Sequence, residues 1–102
     1  LCRFYRDLYQ WEQLAEMIKG TTGLELDTDA MRGIAANVAD DVRRFNLRGG
    51  MTSRDDLLPP RFHKEPLPET QKVITAEQMD QMLKEYYQAR GWNERGEPPA
   101  GI

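Results

Sequence analysis

Few residues of this chain could carry chemistry, and they set the terms of the reading. Cys2 and His63 are its only cysteine and histidine. A thiolate is a soft ligand suited to iron–sulfur clusters, but such a cluster is generally held by four of them. Taken alone, Cys2 therefore reads as a buried or inert thiol more readily than as a ligand. His63 stands between Phe62 and Lys64 with no nucleophile or second base at a useful spacing, so a solvent-facing or capping role outweighs catalysis. Asp40-Asp41 and Asp55-Asp56 are adjacent pairs. Neighbours on a helix point about 100° apart, which does not make a catalytic dyad. Asp27 and Asp29 could open a calcium loop, yet glycine comes only at 33 and no closing glutamate follows, so they read as helix caps.

Two further groups admit two readings each. Arg43, Arg44, Arg48, Arg54 and Arg61 form a basic run. It could bind an anion such as a cofactor phosphate or an acidic protein surface. Alternatively the first three complement the negative end of a helix while Asp55 and Asp56 pair with their neighbours, which is the simpler account. Tyr86, Tyr87, Arg90 and Trp92 could be an aromatic platform for nucleic acid. Their helical spacing, broken by Gly91, favours an anchor fixing a last helix to the core.

The elements that must position these residues follow from periodicity. A first helix is predicted over Arg6 to Lys19, with Phe4, Leu8, Trp11, Ala15 and Ile18 on one side and Gly20 and Gly23 at its end. Asp27 or Thr28 caps a second helix whose apolar stripe is Met31, Ile34, Ala35, Val38, Val42 and Phe45, stopped by Gly49-Gly50. Thr52 to Asp55 has the pattern of a short helix start, interrupted by Pro59 and Pro60. From there to about Val73 an extended, proline-rich strap is expected, able to lie on a core through Leu57, Leu58, Phe62 and Leu67. Thr75 and Gln78 have capping-box spacing for a third long helix with Met79, Met82, Leu83 and Tyr86 as its stripe. Gly91 is the expected residue after its end, Trp92 packs back, and 93–102 is expected to be a loose tail. The fold class is all-α: one helical domain over 1–102, with three longer helices, short helical turns and the strap.

Composition narrows the function classes. The 102 residues are one domain's worth, 39% hydrophobic and 30% charged, and mean hydropathy of -0.75 implies a thin core. A net charge of -3 argues against a nucleic-acid binder, which carries a basic excess. No apolar run approaches the ~20 residues of a membrane span. A single cysteine forms no internal disulfide, so a cytoplasmic setting is expected. The start, Leu1-Cys2-Arg3-Phe4, has neither initiator methionine nor signal core, and the expectation is a piece of something longer.

Two stretches carry a family resemblance. Phe45-Asn46-Leu47-Arg48-Gly49-Gly50 continues through Arg54-Asp55-Asp56 to Leu58-Pro59-Pro60-Arg61-Phe62 and Glu65-Pro66-Leu67-Pro68. Met82-Leu83-Lys84-Glu85-Tyr86-Tyr87 leads to Arg90-Gly91-Trp92 and then Gly96-x-Pro98. In order and spacing both resemble the C-terminal helical part of the aldehyde ferredoxin oxidoreductases. The run Ala35 to Arg44 departs from the family's Gly-Glu-Arg-containing pattern. Leu1-Cys2 is similar to the last two residues of the family's Asp-x-x-Gly-Leu-Cys motif.

The resemblance implies more than the residues do alone. Cys2 would be the fourth thiolate of a [4Fe-4S] cluster, and Leu1 would lie at the cofactor-binding motif of a tungsten or molybdenum bis-pterin centre. The parent enzyme would oxidise aldehydes to carboxylic acids and pass electrons to ferredoxin. Its other cluster cysteines would lie upstream, so no cofactor is expected on this chain alone. Implied partners are the rest of the parent polypeptide and ferredoxin; separately, a truncated domain would expose an apolar face through which two copies could pair. The competing expectation is a small all-α interaction module without catalytic activity.

Overall fold

A computed structural model of the protein describes residues 7–101. In order, its elements are α1 (Trp11–Thr22), α2 (Thr28–Arg48), a 3-10 turn (Ser53–Asp56), α3 (Arg61–Lys64) and α4 (Ala76–Arg90). No strand occurs among the described residues, as the all-α reading requires. The chain divides into two compact units, Leu1–Ala39 and Asp40–Ile102, with the division falling inside α2.

The first unit holds α1 and the start of α2. The Gln10 amide donates to Oε1 of Gln13 at 3.2 Å, which satisfies one of the donors a helix start leaves open. α1 begins and ends later than periodicity suggests, because Gly20 lies within the helix and Gly23 closes it. Gly23 takes φ 76° and its amide donates to the Lys19 carbonyl, a conformation that glycine adopts without Cβ strain. The Asp27 carboxylate accepts from the Ala30 amide at 2.7 Å, so the aspartate read as a cap is one. Met31 is the buried apolar side chain of this unit among the described residues. Arg32 lies over the Trp11 ring, 5.4 Å from its centre.

The second unit joins the end of α2 to α4. α2 stops at a glycine pair: Gly50 takes φ 98°, its amide reaches the Leu47 carbonyl and the Met51 amide the Asn46 carbonyl. The same two-bond closure ends α4, where Gly91 donates to Gln88 and Trp92 to Tyr87. At the other end, Thr75 and Gln78 exchange side-chain and backbone bonds at 3.0 and 3.1 Å. The strap is more structured than an extended run. Pro60 has φ -55° and opens α3, because a missing N–H costs nothing at the first turn of a helix. The Ile74 amide then donates to the Phe62 carbonyl, tying both ends of the strap together.

The segment from 93 onward, expected to be loose, is bonded. Asn93 closes a turn with Glu97 and Gly96. The Gly96 carbonyl accepts from Arg43 and the Pro99 carbonyl from Arg44. Adjacent arginines of α2 thus hold the tail at two points.

Burial is sparse and differs from the expected stripe. Val42 is 54% and Phe45 70% exposed, whereas Arg43 between them is only 7% exposed. In the second unit, α2 therefore packs with the face bearing Asp40, Arg43 and Leu47. Its apolar side faces outward.

Candidate functional site

The polar centre of the second unit is built around Arg43. Its Nη1 and Nη2 donate to the two oxygens of Asp56 at 2.7 and 2.5 Å, a two-pronged geometry that suits the planar guanidinium. Its Nε donates to the Gly96 carbonyl at 2.9 Å. The Tyr87 hydroxyl also donates to Asp56, so this carboxylate answers three donors. Asp56 is delivered by the 3-10 turn, which Thr52 and Asp55 cap through a 2.8 Å bond. Tyr87 comes from the last turns of α4 and is the buried apolar anchor of this unit.

A second pair lies one turn earlier on α2. Asp40 accepts from Arg90 at 2.7 Å and from the Trp92 indole N–H at 2.8 Å. The Trp92 ring lies 5.2 Å from both the Arg43 and Arg90 guanidinium carbons, within cation–π range. Tyr86 meets Trp92 edge-on, 5.7 Å between centres and 90° between planes. Two arginines face two aspartates, so the charge gathered here is balanced.

Protonation follows from these bonds. The Arg43 guanidinium holds the Asp56 carboxyl below the usual range, against the opposing effect of burial, with Tyr87 assisting. Arg43 is raised in turn, mainly by Asp56. Burial, then the bond to Asp56, pushes the Tyr87 hydroxyl up. The Trp92 indole bond, with Arg90 adding to it against burial, lowers Asp40. At neutral pH these carboxylates are ionised and fully engaged. They are poor general acids, and their chemistry is positional.

The sequence candidates distribute accordingly. Within each aspartate pair the two members do different work: Asp40 holds Arg90 and Trp92, whereas Asp41 pairs with Arg44 at 2.6 Å. Asp55 caps a turn and Asp56 binds Arg43. Neither pair is a dyad. The basic run does not converge, since Arg61 pairs with Glu65 at 3.2 Å and Arg43 is committed to Asp56. Of the four residues expected to anchor the last helix, Tyr87, Arg90 and Trp92 do so, whereas Tyr86 is 52% exposed and joins them only through its edge-on contacts with the Tyr87 and Trp92 rings. His63 Nδ1 bonds the Ile74 carbonyl and so helps to close the strap. Leu1 and Cys2 lie outside the described residues. Among those described, no three His, Cys, Asp or Glu side chains come together as a metal site, and no helix is long and apolar enough to cross a membrane.

Sequence reasoning missed the burial of Arg43. A signal for it exists: Asp40, Arg43 and Leu47 recur at steps of three and four beside the apolar stripe, a face as regular as the stripe itself.

Comparison with known proteins adds the family. Residues 1–101 match the family described as aldehyde ferredoxin oxidoreductase, domains 2 & 3. The chain is 32% identical over 100 residues to the tungsten-containing aldehyde ferredoxin oxidoreductase of Pyrococcus furiosus, covering 97% of this chain and 16% of that protein. The protein of the same name from Pyrococcus horikoshii is 33% identical over 89 residues, covering 86% and 15%. That of Thermococcus kodakarensis is 31% identical over 100 residues, covering 97% and 16%. The chain thus spans about 16% of the length of these relatives. No solved structure matches it.

Proposed function

This chain belongs to the aldehyde ferredoxin oxidoreductase family, and on that premise we propose that it is a C-terminal helical part of an oxidoreductase converting aldehydes to carboxylic acids. The match of the family's domains 2 and 3 to residues 1–101 carries this reading. In the proposal the parent holds a tungsten bis-pterin centre, tungsten rather than molybdenum because the relatives are named as tungsten-containing. Bound in the parent, the tungsten centre would supply the two-electron oxidation of the aldehyde and the [4Fe-4S] cluster a path for those electrons to ferredoxin in the cytoplasm; of this chain's residues, Cys2 would help to hold the cluster.

The residues in hand fit these groups only in part. One thiolate, Cys2, supports one of the four ligands a cluster needs, and the described residues form no further donor set. The cluster and the pterin therefore require the rest of the parent polypeptide, which is the first partner proposed. The chain's own contribution is mechanical. The Arg43–Asp56–Tyr87 and Asp40–Arg90–Trp92 networks fix α2, α4 and the tail as a buttress, while by the family motif Cys2 would be a cluster ligand and Leu1 its neighbour in the cofactor-binding motif.

Iron and acid-labile sulfide analysis of the full-length enzyme, wild type against Cys2→Ala, tests the assignment. Loss of the intact four-iron cluster in the variant is expected, and its retention removes Cys2 from the ligand set. The isolated 102-residue chain is expected to show no aldehyde oxidation with a viologen acceptor. Turnover there would contradict the dependence on the rest of the polypeptide. A second reading, an all-α interaction module, is favoured by the outward apolar side of α2.

A further inference from the structure

Three aromatic rings of the second unit form one chain of contacts, and the two inner rings each hand their dissociable hydrogen to a carboxylate. Tyr86 meets Trp92 with 5.7 Å between centres, and Trp92 meets Tyr87 with 6.1 Å. The Trp92 indole N–H donates to Asp40 at 2.8 Å, and the Tyr87 hydroxyl donates to Asp56. All five residues belong to one compact unit, so these contacts do not depend on what covers its surface. Tyr87 is only 5% exposed, and an oxidant reaches it through a neighbouring ring. Two guanidinium groups lie 5.2 Å from the Trp92 centre, which disfavours a standing positive charge on that ring. Arg43 also lies 5.9 Å from the Tyr87 ring, but there it is paired with Asp56.

We propose that Tyr86, Trp92 and Tyr87 form a relay that carries an oxidising equivalent inward and stores it as a tyrosyl radical on Tyr87. A one-electron oxidant of the oxygen-radical class takes an electron from Tyr86 or Trp92, and Tyr87 refills that ring. As the electron leaves, the Tyr87 O–H bond breaks and an O–H bond forms on Asp56. The oxidant has then gained one electron, Tyr87 is a neutral phenoxyl and Asp56 a neutral carboxylic acid. Asp56 is a weak base, yet an oxidised phenol is a far stronger acid than a carboxylic acid or an oxidised indole. The proton shift therefore favours Tyr87 over Trp92 as the resting place. Arg43 keeps the Gly96 carbonyl and the carbonyl oxygen of Asp56 as acceptors throughout. A thiolate returns the electron along the same rings and becomes a thiyl radical, while Asp56 returns the proton. The relay is independent of the aldehyde-oxidation reading, which stands or falls on the cluster analysis.

Photo-oxidation of the full chain with tris(bipyridine)ruthenium(II) and persulfate tests it, read by electron paramagnetic resonance and transient absorption. Circular dichroism verifies that each variant is folded. The tyrosines of the chain are residues 5, 9, 86 and 87. With Tyr5→Phe, Tyr9→Phe and Tyr86→Phe combined, Tyr87 is the sole tyrosine, and a tyrosyl radical is still expected. Its lifetime should exceed that of the same chain in urea by roughly tenfold or more, about 1.4 kcal/mol in the decay barrier. Adding Trp92→Phe should remove most of the signal, since the ring next to Tyr87 no longer passes the electron on. Formation should slow in deuterated water, because the O–H bond breaks in the same step; a merely structural aromatic cluster gives no such effect. The lifetime and isotope readings apply equally to the wild type, where Tyr87→Phe should abolish the long-lived component. Absence of a tyrosyl signal in the single-tyrosine chain, a lifetime equal to that in urea, an undiminished yield with Trp92→Phe, or no slowing in deuterated water each overturns the proposal.

Discussion

Replacing Asp56 by asparagine removes one charge and keeps the shape, and the structure gives its consequence. Arg43 is 7% exposed and its carboxylate partner 17%, so the guanidinium left behind has little water to compensate it. Removing one partner of a buried pair costs about 3–5 kcal/mol. The asparagine oxygen can still accept one bond, and Asp56 is not fully buried, which reduces the expectation to about 2–4 kcal/mol. Total stability of a chain this size with so few buried apolar side chains is at the low end of the usual range, about 5 kcal/mol. The variant should therefore lose close to half of it or more.

Urea unfolding followed by circular dichroism at neutral pH reads this as a lower midpoint with unchanged slope. The pH dependence supplies a second, signed readout. The folded-state pKa of Asp56 is depressed, so its contribution is present above the unfolded carboxylate value of about 3.9 and is lost as pH falls through the folded value. The gap between wild type and Asp56→Asn should narrow on acidification below that point. A loss under about 0.5 kcal/mol at neutral pH, the size of an exposed pair, or a gap that does not narrow, would refute the buried-pair account.

Three further outcomes follow from the geometry. Gly96→Ala places a Cβ 2.6 Å from Arg43 Nη2 and from the Tyr87 ring at φ 70°, and should destabilise by roughly 2–3 kcal/mol in the same unfolding assay. Trp92→Phe keeps the ring stack but removes the indole bond to Asp40; a loss of about 1–2 kcal/mol is expected, and no change would mean that the bond contributes nothing net. Gln71 takes φ 55° without being glycine, so Gln71→Gly should raise the thermal midpoint, by roughly 0.5–1 kcal/mol of stability.

Local signals are the legible part of the fold. Gly91 after α4, the Thr75–Gln78 cap and the glycine pair after α2 all appear where short-range chemistry puts them, because each involves residues within five positions of one another. The resemblance in Phe45 to Leu67 and Met82 to Pro98 points to the family. The partners of Asp56 and Asp40 cannot be read in this way. Asp56 and Arg43 are 13 residues apart, and Asp40 and Arg90 50; no periodicity reports which distant group will neutralise a charge. Periodicity also states which residues share a face without stating which face meets a neighbour. That is why the Val42–Phe45 stripe looks like core in the sequence while Arg43 occupies that place in the fold. For α3 the difference is local: a proline pair signals a break, yet one of the two starts a helix.

The hold of Arg43 and Arg44 on the carbonyls of Gly96 and Pro99 sets how far the polypeptide can be shortened from this side. An exopeptidase that reached this segment would find the backbone at Gly101 exposed. It would then meet carbonyls that serve as acceptors for two guanidinium groups, one of them buried. Cleavage past Gly96 strips a counter-dipole from Arg43, so digestion and unfolding become the same event, and the rate of trimming reports the stability of the whole unit.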